Sequence, residues 1–494
     1  MLKSYSFSKN TVYLLLAYII QKVLAFFYFI FLARYLGADG MGKYSFALSF
    51  VAIFSVFLDF GFSVVLTRET AKNKEKSSEY LSNNLTLKII LSFFIYFLII
   101  VLINLLKYPL LTKQVVYLAG LMMILQSLAL TCYCTLRGWQ NLRYESLGII
   151  FNQIIYIGFG FLFIFLKFPL PILILPLIFG SIFYFLYPLF IIKKLKIPIR
   201  FSFDKKIFSY FFKIALPIVL AIVFANIFSQ INTVLLSFLS EDKFVGLFST
   251  AFRIPQALLF IPLAFGTSTF PAFSYYYANA KEFLDKVFGR VVFYLTILAL
   301  PILFAGIILA EKIILLIYGQ EFSGSTLALK ILLVGLVFMF LDFPFSSLLT
   351  AADRQKFNAV SRGLALTINV ILSFILIPKL LHYGASLAYT TSFFVFFILQ
   401  LIWVQKVVKI DLKYLGKKLF LILLSTLLMS GIIFFLKDKI HIILIIFVSF
   451  ISYLIAIYLL KALDKHDLKE IKDLFIKSLI KKEPPSIEKI ETSE

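Results

Sequence analysis

Cysteine and histidine are nearly missing, with two and three among 494 residues. Cys132 and Cys134 stand too close together to bridge within one helix, and three scattered histidines leave little material for a metal site. Both cysteines therefore read as small apolar core residues, and neither a metal nor another cofactor is expected. Charge is scarce too, at 15% of the chain, and acidic groups are the scarcer part, with 25 Asp and Glu against 48 Lys and Arg. The longest polar connection, 193–211, is too short for a catalytic domain. There is no phosphate-cradling glycine loop, no paired acidic motif and no nucleophile beside a histidine, so enzyme chemistry is not expected. His382, His441 and His466 fall at loops or in the tail, where surface placement is expected.

What remains is apolar: 61% of residues are hydrophobic, which excludes a water-soluble fold. The apolar residues form roughly fourteen runs of about twenty, from 11–33 and 41–66 at the start to 417–436 and 440–460 at the end. That length suits an α-helix crossing roughly 30 Å of hydrocarbon, whereas barrel strands are shorter and alternate. The expected fold is an all-α polytopic membrane protein. The first run has full length and no small-residue cleavage site after it, so it reads as a retained helix rather than a signal peptide. An even count puts both termini on one side, and most basic residues, including the cluster from Lys193 to Lys213, lie on that side. This bias predicts cytoplasmic termini and a multi-pass protein of the cell (plasma or inner) membrane. The net charge of +23 is then a topology signal that requires no nucleic-acid partner.

Two stretches share a layout. Leu36-Gly37-Ala38-Asp39 is followed by Gly42-Lys43-Tyr44-Ser45, and Leu239-Ser240-Glu241-Asp242 by Gly246-Leu247-Phe248-Ser249. Each sets a turn-forming acidic cluster before a helix that starts with glycine, an aromatic or leucine step and serine. The expected organisation is a six-helix lobe over 1–211 and a parallel six-helix lobe over 212–410. Two added helices follow over 411–460, and 461–494 forms a cytoplasmic tail. In the tail Leu468, Ile471, Phe475 and Leu479 at helical spacing among lysines suit either an amphipathic helix on anionic lipid or a solvated helix, and the segment after Pro484-Pro485 reads as disordered.

Charge at bilayer depth needs a polar partner or a watery cavity. Lys22 follows Gln21 near the middle of the first span, so it either faces a cavity or makes an ion pair with Asp59 of the second. Arg253 enters the eighth span with Gln256 one turn on, and its alternatives are a cavity role, snorkelling and loop anchoring. Asn226, Gln230 and Thr233 share one face behind Pro217, which suits either a pathway or interhelical glue. Asn152 and Gln153 of the fifth span read as glue.

The run Leu32-Ala33-Arg34-Tyr35-Leu36-Gly37-Ala38-Asp39-Gly40-Met41-Gly42-Lys43-Tyr44-Ser45 resembles polysaccharide biosynthesis proteins of the O-antigen flippase type. These belong to the multidrug/oligosaccharidyl-lipid/polysaccharide exporter superfamily. Asp59-Phe60-Gly61 with Arg68-Glu69, Ala251-Phe252-Arg253-Ile254-Pro255-Gln256, Tyr318-Gly319-Gln320-Glu321-Phe322, and Ile377-Pro378-Lys379 with Gly384-Ala385 carry the resemblance along the chain. It implies a two-lobed bundle of fourteen helices that moves a polyprenyl-diphosphate-linked oligosaccharide to the outer leaflet by alternating access. It further implies that cavity cations, here Lys22 and Arg253, receive the diphosphate and sugar, and that membrane lipids and polysaccharide assembly proteins are its surroundings. Gln21, Asn226 and Gln230 could hydrogen-bond the glycan. The sparse charge elsewhere leaves any coupling ion open, with Asp59 the candidate. The rivals are a cation-coupled drug exporter of the same superfamily, which usually has twelve helices and cavity carboxylates, and a membrane-embedded sugar polymerase or glycosyltransferase, which needs a longer outer loop than any here.

Overall fold

A computed structural model describes residues 7–409 and 412–463. Among them every regular element is helical: α1 (Phe7–Asp59), α2 (Phe62–Lys72), α3 (Ser77–Leu105), α4 (Leu110–Gly138), α5 (Leu142–Phe165), α6 (Leu175–Lys194) and α7 (Lys205–Leu239). They are followed by α8 (Asp242–Leu258), α9 (Phe260–Asn279), α10 (Lys281–Tyr318), α11 (Ser325–Ala351), α12 (Gln355–Val404), α13 (Leu412–Leu436) and α14 (Ile442–Leu459). The proposed amphipathic tail, with His466, lies outside the described residues.

Among the described residues twelve helical stretches are long and apolar enough to cross a membrane, where about fourteen were expected. Two of the twelve are far too long for one straight crossing. Tyr13–Lys72 has 60 residues and Gln355–Val404 has 50, which at 1.5 Å per residue is about 90 Å and about 75 Å against roughly 30 Å of hydrocarbon. Each contains a residue off helical geometry, Gly37 (φ 67°) in α1 and Leu381 (φ 52°) in α12, at the points where the sequence separates its first two spans and its eleventh and twelfth. Glycine takes the left-handed conformation freely, but leucine pays steric strain for it. Pro378 lies just before Leu381 and cannot donate to the helical ladder.

Two compact units divide the chain. One comprises Met1–Ala257, Ile314–Ala328 and Arg362–Ser392. Here Leu81, Leu85, Ala129, Cys132 and Tyr133 pack with Ile191 and Ile192 to join α3, α4 and α6. Phe62, Leu66, Cys134, Phe211 and Ala215 join α2, α4 and α7. Both cysteines are buried and free, as expected of core residues. The other unit comprises Leu258–Ile313, Leu329–Ser361 and Phe393–Glu494. In it Phe293, Ile297, Ile422, Met429, Ile445 and Tyr453 join α10 to α13 and α14, and the Tyr453 hydroxyl donates to the Ile297 carbonyl at 2.7 Å. The units are defined by packing and the lobes 1–211 and 212–410 by repetition, so the two divisions are not alternatives.

Candidate functional site

Lys22 occupies the first half of α1 and is exposed to open space rather than packed into protein. Seven residues further along the same face stands Phe29. The Arg253 guanidinium of α8 lies over the Phe29 ring, 4.8 Å from its centre. Among the described residues neither cation pairs with a carboxylate. Phe29 thus links the helix that carries Lys22 to Arg253.

Aromatic groups enclose this site. Phe29 meets Tyr318 edge to face, with ring centres 6.3 Å apart. The hydroxyls of Tyr44 and Tyr156 are 3.2 Å apart, and Tyr28 packs edge to face on Tyr156 at 4.6 Å. Tyr44, Tyr156 and Tyr318 all lie within electrostatic reach of Arg253. Tyr44 and Tyr318 stand in motifs quoted from the sequence but not as site residues, and Tyr28 and Tyr156 in none, because an aromatic share of 18% hides the few that meet a cation.

The remaining sequence candidates divide. Gln21 and Gln256 are half-buried and make no hydrogen bond among the described residues. On α7 the Gln230 amide donates to Ser229 at 3.1 Å, and the Asn226 side-chain oxygen is buried without a partner. Neither α7 residue bonds to Lys22 or Arg253. Gln153 of α5 is buried with an unpartnered amide nitrogen.

Asp59 corrects one expectation. Its partner is Lys88 of α3, whose ammonium donates to Oδ1 at 2.7 Å and to the Ser127 carbonyl at 3.3 Å, not Lys22. The Ser63 hydroxyl also donates to Asp59. Lys88 is wholly buried, so its charge depends on these acceptors. A topological signal was present: Asp59 lies in the second half of the second span and Lys88 near the start of the third, which puts both toward one side of the membrane.

A second pair escaped the sequence reading. Arg137 and Glu145 flank the turn between α4 and α5, and the guanidinium makes a two-pronged contact with the carboxylate, Nε to Oε2 at 2.6 Å. His382 also departs from expectation. It is buried against the start of α11, with Nε2 3.0 Å from the Gly324 carbonyl, because the break at Leu381 turns it inward. His441 is exposed as expected and caps α14.

The two repeated motifs meet each other. Gly42 abuts the backbone carbonyl of Asp242, and Gly246 abuts that of Ala38, leaving no room for a Cβ at either glycine. Lys43 pairs with Asp39 and reaches Asp242 at 3.3 Å, joining the motifs by charge as well. At the α1 break the Ala38 amide donates to Glu321 at 2.7 Å, and Arg34 donates to the Leu316 and Ile317 carbonyls at the end of α10. Arg34 Nε and the Ile317 oxygen are 2.8 Å apart.

The family described as polysaccharide biosynthesis protein matches residues 7–277, and that described as MatE matches residues 217–375. The chain is similar to the probable low-salt glycan biosynthesis flippase Agl15 of Haloferax volcanii, with 24% identity over 87% of this chain and 90% of that protein. It is similar to the capsular polysaccharide biosynthesis protein CapF of Staphylococcus aureus, with 24% identity over 78% and 96%. Among solved structures, the lipid II flippase MurJ in an inward closed conformation superposes with a TM-score of 0.73 at 19% identity, covering 94% of this chain and 99% of that one. An inward-facing multidrug resistance MATE family transporter gives a TM-score of 0.64 at 16% identity, covering 80% and 96%. These structural likenesses show a shared transporter fold.

Proposed function

The chain belongs to the polysaccharide biosynthesis protein family, and from that premise we propose that it flips a polyprenyl-diphosphate-linked oligosaccharide from the cytoplasmic to the outer leaflet. The cargo would feed surface polysaccharide or glycan assembly. The observation that carries the reading is that Lys22 and Arg253, the second stacked on Phe29 two turns along α1 from the first, have no carboxylate partner among the described residues. A diphosphate supplies the negative charge that cations without a carboxylate lack. The surrounding tyrosines and Phe29 offer flat faces and hydroxyls for sugar rings, and Gln21, Gln256, Asn226 and Gln230 offer further hydrogen bonds. The lipid tail stays in the bilayer. The relatives' names, a glycan biosynthesis flippase and a capsular polysaccharide biosynthesis protein, agree with this chemistry.

Transport proceeds by alternating access, and the crossing of the repeated motifs at Gly42 and Gly246 is a contact such a cycle would make and break. Both termini face the cytoplasm, and the protein resides in the cell membrane as a transporter rather than an enzyme. The drug-exporter reading draws on the MatE match, but a cationic drug would be repelled by two unpaired cations. Reconstitution into vesicles separates the two. A fluorescent polyprenyl-diphosphate oligosaccharide is expected to cross faster with protein present, whereas the same glycan on a polyprenol without the diphosphate is not. Equal rates for both lipids, or transport of a cationic dye alone, would sink the reading.

A further inference from the structure

The connection between α6 and α7 is extended, and its backbone is tied down along α3. The Arg200 amide donates to Ser82 at 3.0 Å, the Ser202 amide to Thr86 at 3.1 Å, and the Asp204 amide to Asn83. Ser78 donates to the Pro198 carbonyl. Amides two residues apart point one way in an extended chain, so this edge is satisfied. Ile199, Phe201 and Phe203 are left 42%, 78% and 54% exposed. Apolar and aromatic side chains at the end of a membrane helix settle at the headgroup level.

Charge frames this stripe. Lys193, Lys194, Lys196, Arg200, Lys205 and Lys206 are all exposed, and none makes an ion pair among the described residues. The one acid among them, Asp204, is occupied in capping α7, accepting from the Lys206 amide at 2.7 Å. Beside the stripe lies a cavity of about 460 Å³ lined by Leu189, Lys193, Lys196, Ile197, Pro198 and Ile199. Two ammonium groups stand over aliphatic walls. That combination fits a phosphate attached to a glycerol and the upper part of an acyl chain, and it leaves no acceptor for a choline.

We propose that this cavity binds the headgroup of an anionic phospholipid and that the Ile199-Phe201-Phe203 stripe lies in the adjoining lipid. The site depends neither on the transported cargo nor on which leaflet it faces. Native mass spectrometry of the purified full chain, with dioleoyl phosphatidylglycerol or dioleoyl phosphatidylcholine added, tests it directly. Phosphatidylglycerol is expected to be retained in preference. Lys193→Ala with Lys196→Ala should weaken retention on the order of tenfold or more, since each surface lysine adds to anionic-lipid attraction. Lys193→Arg with Lys196→Arg should preserve it. Lys107→Ala with Lys113→Ala, which removes the same charge elsewhere, should leave it unchanged. Equal retention of the two lipids, an equal loss in the Lys107/Lys113 variant, or full retention without Lys193 and Lys196 would each overturn the proposal.

Discussion

Lys22 has no carboxylate partner among the described residues, where an ordinary membrane lysine would meet one. Removing one charge-assisted contact to a diphosphate costs roughly 1.5–3 kcal/mol, on the order of tenfold to a hundredfold in affinity. Lys22→Ala is therefore expected to abolish most glycan export while the protein still reaches the membrane, and Lys22→Arg should restore part of it because charge returns in a different shape. Normal export by Lys22→Ala at normal protein levels would remove Lys22 from the site. Asp59 invites a stability test instead. Asp59→Asn leaves the buried Lys88 ammonium without its carboxylate, a loss of roughly 3–5 kcal/mol for a buried pair. Thermal unfolding of the purified protein should show that loss, and Asp59→Asn combined with Lys88→Met should recover much of it. An unshifted melting temperature in Asp59→Asn would show that the pair contributes little.

Among the elements, the bends of α1 and α12 matter most. Gly37 lets α1 turn and brings the Ala38 amide to Glu321, while the strained Leu381 turns His382 toward Gly324. At Gly42 and Gly246 the backbones of the two repeats approach too closely to admit a Cβ. Gly42→Ala and Gly246→Ala should each separate the motifs, costing roughly 1–3 kcal/mol for overpacking, with a lower melting temperature and reduced export. A variant that melts and exports like the parent would show that the crossing is slack. The repeat itself was legible as spaced glycines, acids and serines. Its two copies touching was not, because periodicity says nothing about lateral distance.

For the whole molecule, the distribution of basic residues sets the expected topology. Reporter fusions at Lys205 and Glu494 should both give a cytoplasmic signal, and an external signal at either would refute the even number of crossings. Truncation before Pro484 should leave export near normal, because those residues lie beyond both repeats. A loss of export with undiminished membrane levels would assign the tail a role.

Membrane class, helical fold, the scarcity of metal ligands and the family resemblance can all be read from composition, run length and local motifs. The sequence placed Lys22 and Arg253 in matching repeats and Cys132 and Cys134 in the core. Packing alone shows that Lys88, not Lys22, answers Asp59, that Arg137 answers Glu145, and that Arg253 stacks on Phe29 beside Tyr318. It also shows that His382 is buried and that two long helices each contain a break. The physical reason is that burial depth and helical period are written along the chain, whereas a partner across a helix interface depends on rotation and crossing, which many sequences of the same hydropathy would set differently.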